Sequence, residues 1–215
     1  MRLTTAIPVA LAVFSLYSEI HAATIISTFG PAQSYDAVNG WGIGGGLGSF
    51  FGQTQLAVPF TPSTTYVLDR IDVAKQGVVE VQVTGTLGGV PLESFTSFSG
   101  NGAVSSDSIR HPQLDAGTQY WLVMTTDLAH FANAVWQRND QGITGNLYYS
   151  NYFGPWTLYN FGPPYFDNPV LPAFAVDGTA ANVPEPGTLA LCVCGLTLVW
   201  GLKRRGRSNK LRLSQ

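Results

Sequence analysis

Between residues 24 and 183 no apolar stripe is sustained at helical spacing, and this constrains the fold more than any other feature of the chain. Apolar residues recur instead in short runs separated by turn residues, the pattern of β-strands. Val79, Val81 and Val83 alternate with Glu80, Gln82 and Thr84, which predicts a strand with one buried and one wet face. Residues 55–60 and 66–73 predict two more. Residues 119–125 (QYWLVMT) are apolar on both parities, which suits a central strand covered on both sides. Residues 132–137, 144–149, 155–159 and 173–177 complete the predicted set. Turn chemistry punctuates it at residues 85–89, at Asn101 and Gly102, at 115–117, at 139–142, and at Asp177 and Gly178. About eight to ten short strands joined in this way predict an all-β chain built on a single, jelly-roll-like β-sandwich over residues 24–180. No internal repeat and no second domain is visible.

Charge narrows the partners. Between residues 24 and 183 four basic residues (Arg70, Lys75, Arg110 and Arg138) face eleven acidic ones, a net charge of minus seven. Phosphate backbones would repel such a surface, so no nucleic-acid partner is expected. Both cysteines, Cys192 and Cys194, lie in an apolar segment near the C-terminus. The sandwich therefore has no disulfide, no cysteine nucleophile and no thiolate metal site.

The two ends carry addresses. Residues 1–23 read as a secretory signal peptide: Arg2, then an apolar run over residues 6–17, then the small residues Ala22 and Ala23. Residues 181–215 form a tail. Pro184-Glu185-Pro186 precedes an uncharged apolar run, which predicts a single transmembrane helix over residues 188–202. A basic end over residues 203–212 follows, with Lys203, Arg204, Arg205 and Arg207 at its start. Six of the chain's eleven Lys and Arg fall in this last stretch. Positive charge directly after an apolar span holds that end in the cytoplasm and leaves the sandwich outside. The apolar run is shorter than the roughly 20 residues that span a bilayer comfortably, so thinning or snorkelling is expected. The two prolines donate no backbone hydrogen bonds and keep the approach to the helix extended, a grip for a membrane protease. Motif, span and basic end, in this order, resemble the PEP-CTERM sorting signal, with Pro184, Glu185 and Pro186 matching its motif. The resemblance implies an exosortase-type membrane protease as partner. It also implies transient anchoring in the inner membrane, then release to the cell surface or extracellular matrix, and an association with exopolysaccharide or biofilm. The plainer alternative is a lasting single-pass anchor.

A second resemblance covers most of residues 24–180. The order Ala57-Val58-Pro59-Phe60-Thr61-Pro62, then residues 66–73 (YVLDRIDV), residues 114–122 (LDAGTQYWL), Trp136, Trp156 and residues 172–176 (PAFAV) is similar to the choice-of-anchor extracellular domains that occur beside such tails. These are strand and turn signatures. They imply a sandwich fold and no defined reaction.

Few residues suggest chemistry. Gly40, Gly42 and Gly45 formally match G-x-G-x-x-G, but no strand-to-helix unit follows, and the segment reads as a flexible loop. His111 has Ser105, Ser106 and Ser108 nearby, and His130 stands in a predicted loop. No G-x-S-x-G elbow accompanies them, so no catalytic residue is assigned. Asp69, Asp72, Asp140, Asp167 and Asp177 offer hard oxygen ligands of the kind calcium takes, yet they suit turn-forming roles better; no metal and no cofactor is expected. The strongest binding signal is aromatic. Residues 148–166 hold nine large rings in a Gly- and Pro-rich stretch. Flat rings stack on sugar C–H groups, so Trp136, Tyr149, Tyr152, Trp156 and Tyr159 are the candidate glycan-contacting residues. Core filling is the competing role for them. The reading is an exported, non-enzymatic surface or matrix protein that contacts exopolysaccharide. A structural coat protein without specific ligand and a secreted glycan-acting enzyme are the alternatives.

Overall fold

Val81 and Val83 point into the protein and are fully buried, while Gln82 between them is half-exposed, as the alternation requires. The same logic builds the whole domain. The structure, a computed structural model, describes residues 22–45, 53–96, 98, 100–126, 133–151, 154–159 and 169–181. Almost all of the predicted signal peptide lies outside the described residues, as do the Pro184-Glu185-Pro186 motif, the apolar segment at 188–202 and the basic end. Among the described residues no helix is long and apolar enough to cross a membrane.

The elements are β1 (Ala23–Ser27), a 3-10 turn (Pro31–Gln33), β2 (Asp36–Gly44), β3 (Thr54–Phe60), β4 (Tyr66–Gln76), β5 (Glu80–Thr84), β6 (Pro91–Phe95), β7 (Gly102–Asp107), β8 (Gln113–Leu114), β9 (Tyr120–Thr125), β10 (Asn133–Arg138), β11 (Tyr148–Asn151), β12 (Thr157–Leu158) and β13 (Phe174–Ala180). They form two antiparallel sheets. The first runs β1-β13-β4-β10-β2, with β7 and β8 also paired to β4; the second runs β12-β11-β3-β9-β5-β6. The chain crosses between them repeatedly, since β3 and β5 belong to the second sheet while β4 between them belongs to the first.

One core lies between the sheets. Ile71, Val73, Trp136, Phe174 and Val176 come from the first; Leu56, Val58, Val81, Val83, Leu122 and Met124 come from the second. Each such side chain contributes about 1.5–3 kcal/mol on burial. β9 is the covered central strand its sequence predicts: it lies between β3 and β5, and Leu122, Val123 and Met124 are all buried.

The sequence reading needs four corrections. Residues 40–45 are no loop, since most of them belong to β2, where Trp41 and Ile43 enter the core and glycines alternate with them. The glycines have a steric reason. A Cβ on Gly40 would stand 2.2 Å from Val135 Cγ1 and 2.9 Å from the Trp136 carbonyl oxygen, so β10 closes on β2 only without one. Residues 144–149 do not make one strand: β11 starts at Tyr148, and Thr144 makes only an isolated bridge to Val170. Asp177 and Gly178 are not a turn but an irregularity inside β13, where its register against β4 shifts. Trp136 is no surface residue. It is fully buried, its Nε1 donates to the Ala173 carbonyl at 3.2 Å, and its ring packs 6.0 Å from Phe174.

Two buried ionic side chains fasten the sandwich. Glu93 on β6 is 3% exposed and accepts from Ser108 Oγ at 2.5 Å, Ile109 N at 2.6 Å and Arg110 N at 3.1 Å. It thereby ties the edge of the second sheet to the β7–β8 connection of the first. Lys75 on β4 is 2% exposed, and its Nζ donates to the carbonyls of Gly77 (2.8 Å) and Gly100. Burial pushes its pKa below the ordinary lysine value.

Candidate functional site

The outer face of the second sheet carries the site. Strand register sets its floor: Val123 on β9 lies opposite Ala57 on one side and Gln82 on the other, and Ser150 on β11 lies opposite Gln55 on β3. These residues share the parity that points away from the core. Ala57 and Val123 are nevertheless buried, because chain passes over them. The cover comes from both flanks. From one, the β11–β12 connection brings Gly154 and Trp156; from the other, the β5–β6 hairpin brings Gly88 and Gly89. The two flanks touch. A Cβ on Gly88 would stand only 3.0 Å from Trp156 Nε1. Gly88 itself has a φ of +78°, a conformation that glycine adopts at little cost. The predicted turn at residues 85–89 is therefore also a wall, closed by a Gly89 N to Thr86 O hydrogen bond of 2.9 Å.

Beneath this bridge is a groove of about 360 Å³, near the lower end of the ~300–1,000 Å³ range of small-molecule sites. Its polar wall groups are Gln55, Gln82, Thr84 and Ser150; its apolar ones are Val123 and the Trp156 indole. No ionisable side chain lines it among the described residues. Several polar groups are already oriented. Gln82 Nε2 donates to Glu80 Oε1 at 2.9 Å, Thr84 Oγ1 to the Thr86 carbonyl at 2.8 Å, and Ser150 Oγ to the Gly154 carbonyl at 2.7 Å. An aromatic pair stands on the same face: Trp121, opposite Thr84, meets Tyr148 edge-to-face at 5.0 Å.

Of the candidate aromatics, the structure places Trp156 in the groove. Tyr152 lies outside the described residues. Tyr149 and Tyr159 belong to the inner side of the second sheet: they meet each other at 5.4 Å, and Tyr159 meets Trp41 at 4.8 Å, all packed against the core. Burial raises the pKa of the Tyr159 phenol, partly offset by Arg138, whose guanidinium sits 4.3 Å over the Trp41 ring. With Trp136 these two rings take the core-filling role. Sequence reasoning did not single out Gln55, Gln82, Thr84 and Ser150. For Gln82 and Thr84 a signal existed, since they form the wet parity of an alternating strand.

The other sequence candidates do not converge on a reaction centre. Ser108 directs its hydroxyl to Glu93, while the His111 ring Nδ1 lies 3.1 Å from the Leu68 carbonyl and 3.8 Å from Asp69. His130 is outside the described residues. Asp72 and Asp177 share the Arg70 guanidinium at 3.0 and 3.2 Å, Asp69 accepts from Thr179, and Asp140 accepts from Gln141. Asp167 is outside the described residues, and among those described no group of three or more His, Cys, Asp or Glu residues is placed to hold a metal ion. Comparison of the chain with protein families, with curated proteins and with solved structures finds no match.

Proposed function

We propose that this chain is an exported surface or extracellular-matrix protein that holds exopolysaccharide in the groove beneath Trp156, after sorting by an exosortase-type system. The observation that carries the reading is the half-exposed Trp156 indole set beside the half-exposed amides of Gln55 and Gln82. That combination suits a sugar: the ring covers an apolar C–H face while the rim satisfies hydroxyls. Amide and indole groups hold such a ligand without exchanging protons with it near neutral pH, which favours binding over hydrolysis. Glycan hydrolysis uses two opposed carboxylates, and this rim is made of other groups. The crossings between two antiparallel sheets support the jelly-roll-like form of the sandwich.

Export and sorting rest on the sequence of the two ends. Their test is the intact mass of the protein released from its own cells. It should lack residue 189 onward, and a full-length tail on released protein would refute exosortase processing.

The binding test uses the same released protein, titrated with the exopolysaccharide of its own cells beside a Trp156→Ala variant shown to melt like the parent. Loss of one stacking ring is worth about 1–2 kcal/mol, or roughly five- to thirtyfold in affinity. Equal binding by parent and variant would remove the groove from the account. No binding by the parent would leave the structural coat role.

A further inference from the structure

Resting on the glycan reading above, we infer that Trp121 and Tyr148 form a second stacking subsite beside the groove, so that one polysaccharide chain lies on both. Strand register places them. Trp121 stands two residues before Val123 on β9, and Tyr148 two residues before Ser150 on β11; Val123 and Ser150 both line the groove. Residues two apart on a strand share a face and stand about 7 Å apart. Each ring is therefore the next outward side chain after a groove residue. β3 runs between the two strands, with Ala57 opposite Tyr148 and Pro59 opposite Trp121. Nothing large separates the rings at these rungs, and they meet edge-to-face at 5.0 Å. The ring that presents its edge keeps both of its faces clear of its partner.

Neither ring fills the core. Both are half-exposed, and Leu158, paired with Tyr148 on its other side, is 42% exposed. The solvated face of an antiparallel sheet is ordinarily polar, whereas here neighbouring strands set apolar and aromatic groups side by side. The Trp121 indole N–H and the Tyr148 hydroxyl have no hydrogen-bond partner among the described residues, and neither atom is buried. The pair thus repeats the chemistry that Trp156 brings to the groove: ring surface for sugar C–H groups, with a polar atom at the edge for a hydroxyl. Groove and pair follow one another along the strands. A single sugar occupies one of them, and a longer chain occupies both.

The test uses exopolysaccharide of the producing cells, partly hydrolysed and separated by size. Each size class is titrated calorimetrically with the released protein, with Trp121→Ala and with Tyr148→Ala. In the parent, affinity should climb about tenfold or more with chain length, and either variant should lose most of that climb. The shortest fragment that binds should bind parent and variants alike. Both rings are partly buried, so hydroxyl-radical footprinting of the unaltered protein gives a second readout. Long fragments should shield Trp156, Trp121 and Tyr148 from oxidation together, and the shortest should shield Trp156 alone. Equal affinity at all lengths, with Trp156 alone shielded, would overturn the second subsite and leave the glycan reading standing. Shielding of the pair without Trp156 would overturn the continuous site. Binding of no size class would overturn both readings.

Discussion

Replacing Glu93 with alanine should cost the sandwich about 3–5 kcal/mol, and replacing it with glutamine far less. Glu93 is 3% exposed and accepts three hydrogen bonds, so the alanine variant orphans three donors at once. The Ser108 hydroxyl is itself 6% exposed, and leaving it unpaired costs about 1–3 kcal/mol. The N–H groups of Ile109 and Arg110 lie on an exposed segment. Water can replace their acceptor, so each loses only the net worth of a bond, about 0.5–1.5 kcal/mol. In Glu93→Gln the amide oxygen still accepts from the two backbone groups, and the amide N–H can donate to Ser108 Oγ. That oxygen already accepts from His111 N at 2.9 Å and has a second lone pair free once its own proton turns. A cost of about 1–2 kcal/mol is expected there. At roughly 2–4 °C per kcal/mol for a domain of this size, alanine should lower Tm by about 6–20 °C and glutamine by about 2–8 °C. The assay is thermal unfolding at pH 7 followed by circular dichroism, with Ser108→Ala expected between the two. An alanine variant that melts within about 2 °C of the parent, or a glutamine variant as damaged as alanine, would refute the reasoning. Because β6 pairs with β5, whose hairpin walls the groove, Glu93→Ala should also weaken polysaccharide binding.

Trp136→Ala should lower stability by about 3–5 kcal/mol through an unfilled core, whereas Trp156→Ala should cost less than about 1 kcal/mol in chemical denaturation; equal losses would contradict the placement of the two indoles. Gly88→Ala forces a side chain into a positive-φ position and presses a methyl to 3.0 Å from Trp156 Nε1, for about 1–2 kcal/mol of stability and a measurable loss of polysaccharide affinity. Lys75 holds its proton less tightly when folded than at the ordinary value of 10.5. Between the folded-state value and 10.5 the unfolded chain binds more protons, so stability should rise with pH in the alkaline range just below 10.5. The parent-minus-Lys75→Met difference in unfolding free energy should show this rise, and a flat difference would count against it.

Strands could be read from the sequence wherever one face alternates. The Val79–Val83 alternation, the two-sided apolar run at β9 and the long β4 all appear within a few residues of their predicted limits. What escaped was strand built from small or polar residues. β2 looks like a loop because Gly40, Gly42 and Gly44 carry no side chain to show a parity, and the reason for glycine lies on β10, a hundred residues away. β7 (GAVSSD) has half-buried positions and little apolar content, and it forms because β4 offers it an open edge. The site was legible by residue type but not by side. Tyr149, Tyr159 and Trp156 are equivalent in composition; strand register sends Tyr149 inward, while the residues flanking β12 pack Tyr159 against Trp41 and set Trp156 at the groove. The polar half of the groove comes from three separate strands, β3, β5 and β11, a convergence that no linear pattern encodes.

The position of β13 has a consequence for how the fold is reached. Among the described residues it is the last strand in the order of synthesis, yet it lies inside its sheet, between β1, the first of them, and β4. Thr24 and Asp177 must find each other across 153 residues of chain. Loops of that length close slowly, and topologies that depend on them fold late rather than by stepwise growth. A nascent chain that stops short of residue 174 therefore has no way to join β1 to β4. It exposes two unpaired edges, a form prone to aggregation. The architecture thus distinguishes finished chains from interrupted ones: the sandwich closes only after its final strand is present.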